Sequence, residues 1–215
     1  MSTPWRPEGT VIGTLLNFQR EHALWAPRMH EPPYKAPPRA PVLYVKTANT
    51  FTPSGGVIAL PTGAAVEVAA SPGLVMGAGG VAGVVLFNDV AIAHDSYYRP
   101  PVKTRCVDGF LGLGPACVPL AQLGGLAGLA ALQVELHING VHRHTAALAE
   151  LVRDAATLLA DVGAFMTLRP GDVLMLGSDC LPDGTRPLVG AGDTVEITAP
   201  GFPPTVHTFA LEEAV

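Results

Sequence analysis

Apolar residues along this chain mostly alternate with polar ones or run unbroken for short stretches, and helical spacing appears in one long segment. Residues 10–17 (V-I-G-T-L-L-N after Thr10) predict a first strand, and 18–25 predict a short helix. The β-branched and aromatic run V-L-Y-V-K at 42–46 predicts a strand. Segment 52–61 turns through Ser54-Gly55-Gly56. Strands follow over 66–75 and 81–90, the second almost wholly apolar and therefore buried on both faces. A further strand is expected over 109–118. Over 129–138 the pattern L-A-A-L-Q-V-E-L-H-I alternates, and Asn139-Gly140 supplies a hairpin turn that needs positive φ.

The i, i+3, i+4, i+7 spacing that includes Leu148, Leu151, Ala155, Leu158, Val162 and Phe165 predicts one long helix over 146–165, with Thr145 as N-cap and Gly163 as a late breaker. Pro170-Gly171 then turns into a buried strand at 173–176, and 190–197 repeats that plan. No internal repeat is apparent. Many strands and one long helix make the fold class α+β, mostly β. The expected layout is a single domain. Residues 1–41 form an N-terminal strand, short helix and proline-rich connector, and 42–215 form the main body.

Composition narrows the class. The 215 residues are 48% hydrophobic and only 14% charged, which excludes global disorder. The net charge of −5 excludes nucleic-acid binding through a basic surface. With 24 glycines and 21 prolines, the chain favours short strands and turns over a helical bundle. Cys106, Cys117 and Cys180 include no C-x-x-C pair, so a reducing, cytoplasmic setting with free thiols is expected. Residues 1–13 carry Arg6 and Glu8 and lack an apolar signal core. Segments 68–88 and 109–134 are uncharged and long enough to span a bilayer, but their prolines and glycines mark them as buried core. The proline-rich stretch 27–41 reads as an ordered surface loop in polyproline geometry.

Several segments resemble the fumarylacetoacetate hydrolase family. They are P-Y-K-A-P-P-R-A-P-V-L-Y-V-K-T-A-N-T (33–50), F-N-D-V (87–90), S-Y-Y-R-P-P-V-K-T-R-C-V-D-G-F (96–110), F-M-T-L-R-P-G-D-V-L-M-L-G (165–177) and G-D-T-V-E-I-T-A-P-G-F (192–202). The likeness covers about residues 10–205. Within the family it is most similar to the branch of 4-hydroxyphenylacetate (homoprotocatechuate) degradation, in particular the N-terminal half or first subunit of its isomerase/decarboxylase. This resemblance implies a β-roll curled round a pocket and a dimer, either a homodimer or a heterodimer with a metal-bearing paralogue. It also implies chemistry on small 2-oxo dicarboxylates, as lyase (decarboxylase) and isomerase, with no nucleic-acid or membrane partner. Active relatives decarboxylate 5-carboxymethyl-2-oxo-hex-3-ene-1,7-dioate and isomerise 2-hydroxyhepta-2,4-diene-1,7-dioate. Mg2+ (or Mn2+) chelates the carboxylate and neighbouring oxo group in that chemistry and stabilises the enolate.

Carried onto this chain, the resemblance makes Asp89 a metal ligand and leaves the family's Glu-x-Glu at Ala69 and Ser71, where no acid stands. Glu67 lies two positions upstream on the same face and is the other metal candidate. The loop between the two strands is shortened to 78–82. Arg105 stands where active relatives carry a lysine, with Lys103 on the same expected strand face, so the two are the candidate catalytic cations. Arginine's fixed charge suits carboxylate binding better than proton transfer. Tyr98, Arg99, Gly177 and Ser178 are candidate substrate contacts, the last two from an L-G-S-D loop that replaces the family's T-G-T-P. Glu21-His22 and His30-Glu31 fall near a family lid dyad without its spacing. Three readings stay open at this point. They are a working isomerase/decarboxylase, a catalytically silent subunit completed by a metal-bearing paralogue, and an acylpyruvate-type C–C hydrolase.

Overall fold

The longest apolar runs in the chain become its longest strands. In the computed structural model, which describes residues 4–32, 34–94 and 101–212, the elements run β1 (Val11–Leu15), α1 (Gln19–Trp25), β2 (Val42–Lys46), β3 (Phe51–Thr52), β4 (Val57–Leu60), β5 (Val66–Gly77) and β6 (Gly80–Ile92). Next come α2 (Val102–Arg105), β7 (Leu111–Leu113), β8 (Val118–Pro119), α3 (Gly125–Gly128), β9 (Gln133–Ile138) and β10 (Val141–Ala147). The chain ends with α4 (Ala155–Gly163), β11 (Val173–Met175), β12 (Leu188–Val189), β13 (Thr194–Thr198) and β14 (Thr205–Leu211).

Two sheets result. A nine-stranded sheet runs β2-β1-β11-β5-β6-β7-β3, with β12 added to β5 and β8 to β6; a five-stranded sheet runs β10-β9-β13-β14-β4. The β5–β6 hairpin is the spine of the first. Alternation along it sends Val66, Val68, Ala70 and Leu74 of β5, and Val84, Leu86 and Val90 of β6, into a core shared with Val134, Leu136, Val195 and Ile197 of the second sheet. The opposite face carries Val75, Val85 and Phe87 against Val11, Leu111 and Val173. Both faces of β6 are therefore covered, as its near-continuous apolar run predicts. The connection across residues 78–79 is a tight hairpin turn at the end of the hairpin remote from Asp89, since Gly77 pairs with Gly80 and Ala69 with Asp89.

The long helix expected over 146–165 is shorter. Ala146 and Ala147 close β10, and the helix proper is Ala155–Gly163, capped by Asp154, whose carboxylate accepts from the Thr157 amide at 2.8 Å. Tertiary partners take the amides that a longer helix needs. The Leu148 amide donates to the Leu132 carbonyl at 3.0 Å, Val152 to Asn17 at 2.8 Å, and Arg153 to the Asn17 side chain at 3.0 Å. Thr145 lies in β10 opposite Glu135 and caps nothing. The Asn139-Gly140 turn has the expected positive φ at both residues, 53° and 74°. No helix among the described residues is long and apolar enough to cross a membrane.

Candidate functional site

Alternation along the central hairpin places Asp89 on the face away from the inter-sheet core, directly opposite Ala69. Glu67 and Ser71 share that face, because residues two apart on a strand point the same way. Ser71 is buried and its hydroxyl donates to the Gly177 carbonyl at 2.8 Å.

Strand β2 supplies two further groups through the same period. Tyr44 and Lys46 stand on one face of β2 and reach over β1 toward Asp89. The phenol crosses at Gly13, its register partner, where a β-carbon would lie 2.0 Å from the ring. The Tyr44 hydroxyl donates to Asp89 Oδ2 in a short hydrogen bond. Lys46 Nζ lies 2.9 Å from Asp89 Oδ1 and donates to the carbonyls of Val90, Arg105 and Phe110, each at 2.8 Å. Arg105 completes the cluster from α2. Its Nη1 donates to Asp89 Oδ2 at 2.9 Å, and its guanidinium lies over the Tyr44 ring, 4.5 Å from the centroid.

All four side chains are buried. Burial pushes the Asp89 carboxyl up, but the Lys46 and Arg105 charges, with hydrogen bonds from Tyr44 and Lys46, outweigh it, and the net shift is downward. Burial lowers Lys46, and its pairing with Asp89 opposes this only in part. Tyr44 is raised well above its ordinary value by burial and then by the Asp89 charge, so it stays a donor. Arg105 is raised on balance because Asp89 outweighs its desolvation. The result is a carboxylate held ionised between two side-chain cations.

A second buried pair lies nearby. Arg186 Nη2 is 2.6 Å from Glu21 Oε1, and Glu21 Oε2 accepts from the Leu16 amide at 3.2 Å. A cavity of about 920 Å³ opens beside both clusters, lined among others by Arg28, Glu67, Arg105, Thr185, Arg186 and Leu24. Across the loop 177–180, Asp179 Oδ2 sits 3.4 Å from Arg20 and 3.3 Å from His144 Nε2. The neighbouring Cys180 thiol is pushed up to about 11, first by burial and then by Glu21 and Asp179.

The structure sorts the residues that sequence reasoning nominated. Asp89 and Arg105 come together, and Glu67 lines the same cavity. Lys103 does not join them. Residues 102–105 are helical and not a strand, so positions two apart diverge, leaving Lys103 exposed and Arg105 buried. Gly177 adopts φ 105° and receives the Ser71 hydroxyl. Ser178 is buried, and its carbonyl lies 3.4 Å from Arg186 Nη2. Tyr98 and Arg99 lie outside the described residues. Of the residues that fall near the family's lid dyad without its spacing, Glu21 is buried in the Arg186 pair, whereas His30 and Glu31 are exposed. Sequence reasoning missed Tyr44, Lys46 and Arg186. The first two carried a signal, an ionisable pair at i and i+2 within an otherwise apolar strand; Arg186 sits in an irregular D-G-T-R-P turn that carries none.

This donor set does not fit a divalent cation. Mg2+ and Mn2+ need several oxygen ligands around one point. Here Asp89 faces Ala69, its two oxygens are taken by Lys46, Arg105 and Tyr44, and among the described residues no group of three His, Cys, Asp or Glu side chains could hold a metal.

Comparison with known proteins agrees with this architecture. The model of the fumarylacetoacetate (FAA) hydrolase C-terminal domain matches residues 10–210. The 4-hydroxyphenylacetate degradation bifunctional isomerase/decarboxylase of Escherichia coli is 33% identical over 97% of this chain and 48% of its own length. The chain thus spans about half the length of the curated relatives it matches. Among solved structures, the 5-carboxymethyl-2-hydroxymuconate delta-isomerase of Mycobacterium smegmatis shares the fold with a TM-score of 0.76 at 23% identity, covering 94% of this chain and 77% of that one. Maleylpyruvate hydrolase from Sphingobium sp. SYK-6, solved with manganese(II) and pyruvate, has a TM-score of 0.74 at 19% identity over 98% and 73%. With a family model matching almost its whole length and a β-rich fold shared with these enzymes, the chain belongs to the fumarylacetoacetate hydrolase family.

Proposed function

We propose that this chain acts in 4-hydroxyphenylacetate (homoprotocatechuate) catabolism as one lobe of the decarboxylase/isomerase that handles 5-carboxymethyl-2-oxo-hex-3-ene-1,7-dioate and 2-hydroxyhepta-2,4-diene-1,7-dioate. It fills the silent position, and a second copy of the fold bearing a metal site carries out the metal-assisted steps. One observation carries this reading: Asp89 stands opposite Ala69 and is bound by Lys46 and Arg105, so the face that would hold the cation is neutralised from within. Similarity to the bifunctional isomerase/decarboxylase of E. coli, of whose length this chain covers 48%, supports the pathway. The cavity of about 920 Å³, with arginines 28, 105 and 186 on its wall, is of a size and polarity to receive a small 2-oxo dicarboxylate. Free cysteines 106, 117 and 180 suit a reducing cytoplasm.

Lysine 103, exposed on α2, is left without a role at this cluster, and the proposed substrate contacts are Arg105, with Gly177 and Ser178 at the neighbouring loop and Tyr98 and Arg99 from the S-Y-Y-R-P segment. The test is an assay of the purified chain with Mg2+, following loss of the dienol absorbance, alone and then with a metal-bearing protein of the same fold. Turnover only in the mixture is expected. Turnover by the chain alone would sink the silent-lobe reading.

A further inference from the structure

A dicarboxylate brings two acid groups into the cavity, and the cavity wall offers them unequal partners. Resting on the reading above that this cavity takes a small 2-oxo dicarboxylate, we propose that Arg28 is its specificity-determining residue. The Arg28 guanidinium takes the ligand's second carboxylate while Arg105 takes the first, so the cavity selects dicarboxylates over monocarboxylates.

The charged groups on the wall differ in what already holds them. Arg28, Glu67, Arg105, Asp183 and Arg186 all line the cavity. Arg186 is bound by Glu21 at 2.6 Å. The Asp183 carboxylate is turned onto the Thr185 amide and hydroxyl, at 3.0 and 2.7 Å. Arg105 gives Nη1 to Asp89, but its Nε has no partner among the described residues, so a buried guanidinium on the wall keeps an unused donor. Arg28 forms no ion pair among the described residues; its one contact is with a ring.

The placement of Arg28 is fixed from both sides. Glu21 ties α1 to Arg186, and Arg20 Nη1 donates to the Cys180 carbonyl at 2.8 Å. The helix runs on into a turn over Ala26–His30, where Met29 is buried with Leu15, Leu16 and Tyr44. Arg28 is left exposed at the cavity with its guanidinium over the Trp25 ring, 5.3 Å from the centroid. Such stacking restrains a flexible side chain and leaves the edge of the planar fork open to a carboxylate. Arg105 is 3% exposed and so forms the inner end of the site, with Arg28 the outer. Leu24, Trp25 and Leu188 add apolar wall, which suits the carbon chain of a diacid. Glu67 lies close enough to favour the Arg105 charge, and its own charge repels a second carboxylate at that end. The second acid group is left to Arg28.

Calorimetric titration with heptane-1,7-dioate and with heptanoate, equal in length and different by one carboxylate, tests this. The wild type should bind the diacid at least about tenfold more tightly than the monoacid. Arg28→Gln should bring diacid affinity down to that of heptanoate and leave heptanoate unchanged. Arg143→Gln, at an exposed arginine of β10 away from the cavity wall, should change neither and so controls for net charge. Equal binding of the two ligands by the wild type, or an unchanged ratio in Arg28→Gln, would overturn the role of Arg28 and leave the cavity as a carboxylate site. If the wild type binds neither ligand, the reading of the cavity falls and the role of Arg28 with it. Binding is read without turnover, so the result does not depend on whether the chain is silent or active alone.

Discussion

Tyr44 lies over Gly13, its register partner on the neighbouring strand, and from there its hydroxyl reaches Asp89. The contact depends on the missing side chain, since a β-carbon at Gly13 would stand 2.0 Å from the ring. Gly13→Ala should therefore cost about 1–3 kcal/mol by overpacking. Urea unfolding of the two proteins measures it, and an unchanged midpoint would show that the ring can move aside without loss.

Asp89 is the single anion between two buried cations. Asp89→Asn leaves Lys46 and Arg105 without their counter-charge and should destabilise by about 3–5 kcal/mol. The sign of the acid response follows. The folded carboxyl lies below its ordinary 3.8, so its contribution is present above that value and is lost as pH falls below it. Denaturant midpoints measured from pH 6 down to pH 2 should fall more steeply for the wild type than for Asp89→Asn.

His207 gives a second, milder acid response. Its ring is fully buried beside Gly112, and Nε2 donates to the Thr52 carbonyl at 3.2 Å, leaving Nδ1 without a partner among the described residues. Burial pushes its pKa down from 6.5 to about 4, against the opposing pull of the Thr52 and Pro53 backbone. Between those values the unfolded chain binds a proton that the folded chain refuses. Stability is complete above 6.5 and falls by up to about 3 kcal/mol as pH drops toward 4, at about 1.4 kcal/mol per pH unit. Removing the titrating group in His207→Leu should flatten that slope, read from urea midpoints at pH 7, 5.5 and 4.5.

Asp154 caps α4 through the Thr157 amide at 2.8 Å. Asp154→Ala should cost about 1 kcal/mol, whereas Thr145→Ala, at the residue the spacing points to as the cap, should change helix stability little. Thermal melts of both variants separate the two positions.

Local patterning accounts for the strands that form the framework. The apolar runs of β5 and β6, the V-L-Y-V-K strand and the Asn139-Gly140 turn follow from side-chain period and backbone preference, which are local. That no acid stands at residues 69 and 71 followed from the resemblance to the family pattern, and the register of the hairpin, not strand period, sets Ala69 opposite Asp89. The length of α4 was decided elsewhere, where Asn17 and Leu132 claim amides that helical spacing assigns to the helix. So was the fate of Asp89. Tyr44 and Lys46 come from β2 and Arg105 from α2, two segments far apart in the chain, and only the curl of the nine-stranded sheet and the packing of α2 carry them to one carboxylate. Charge pairing at a few ångströms depends on through-space distance, which no periodicity encodes.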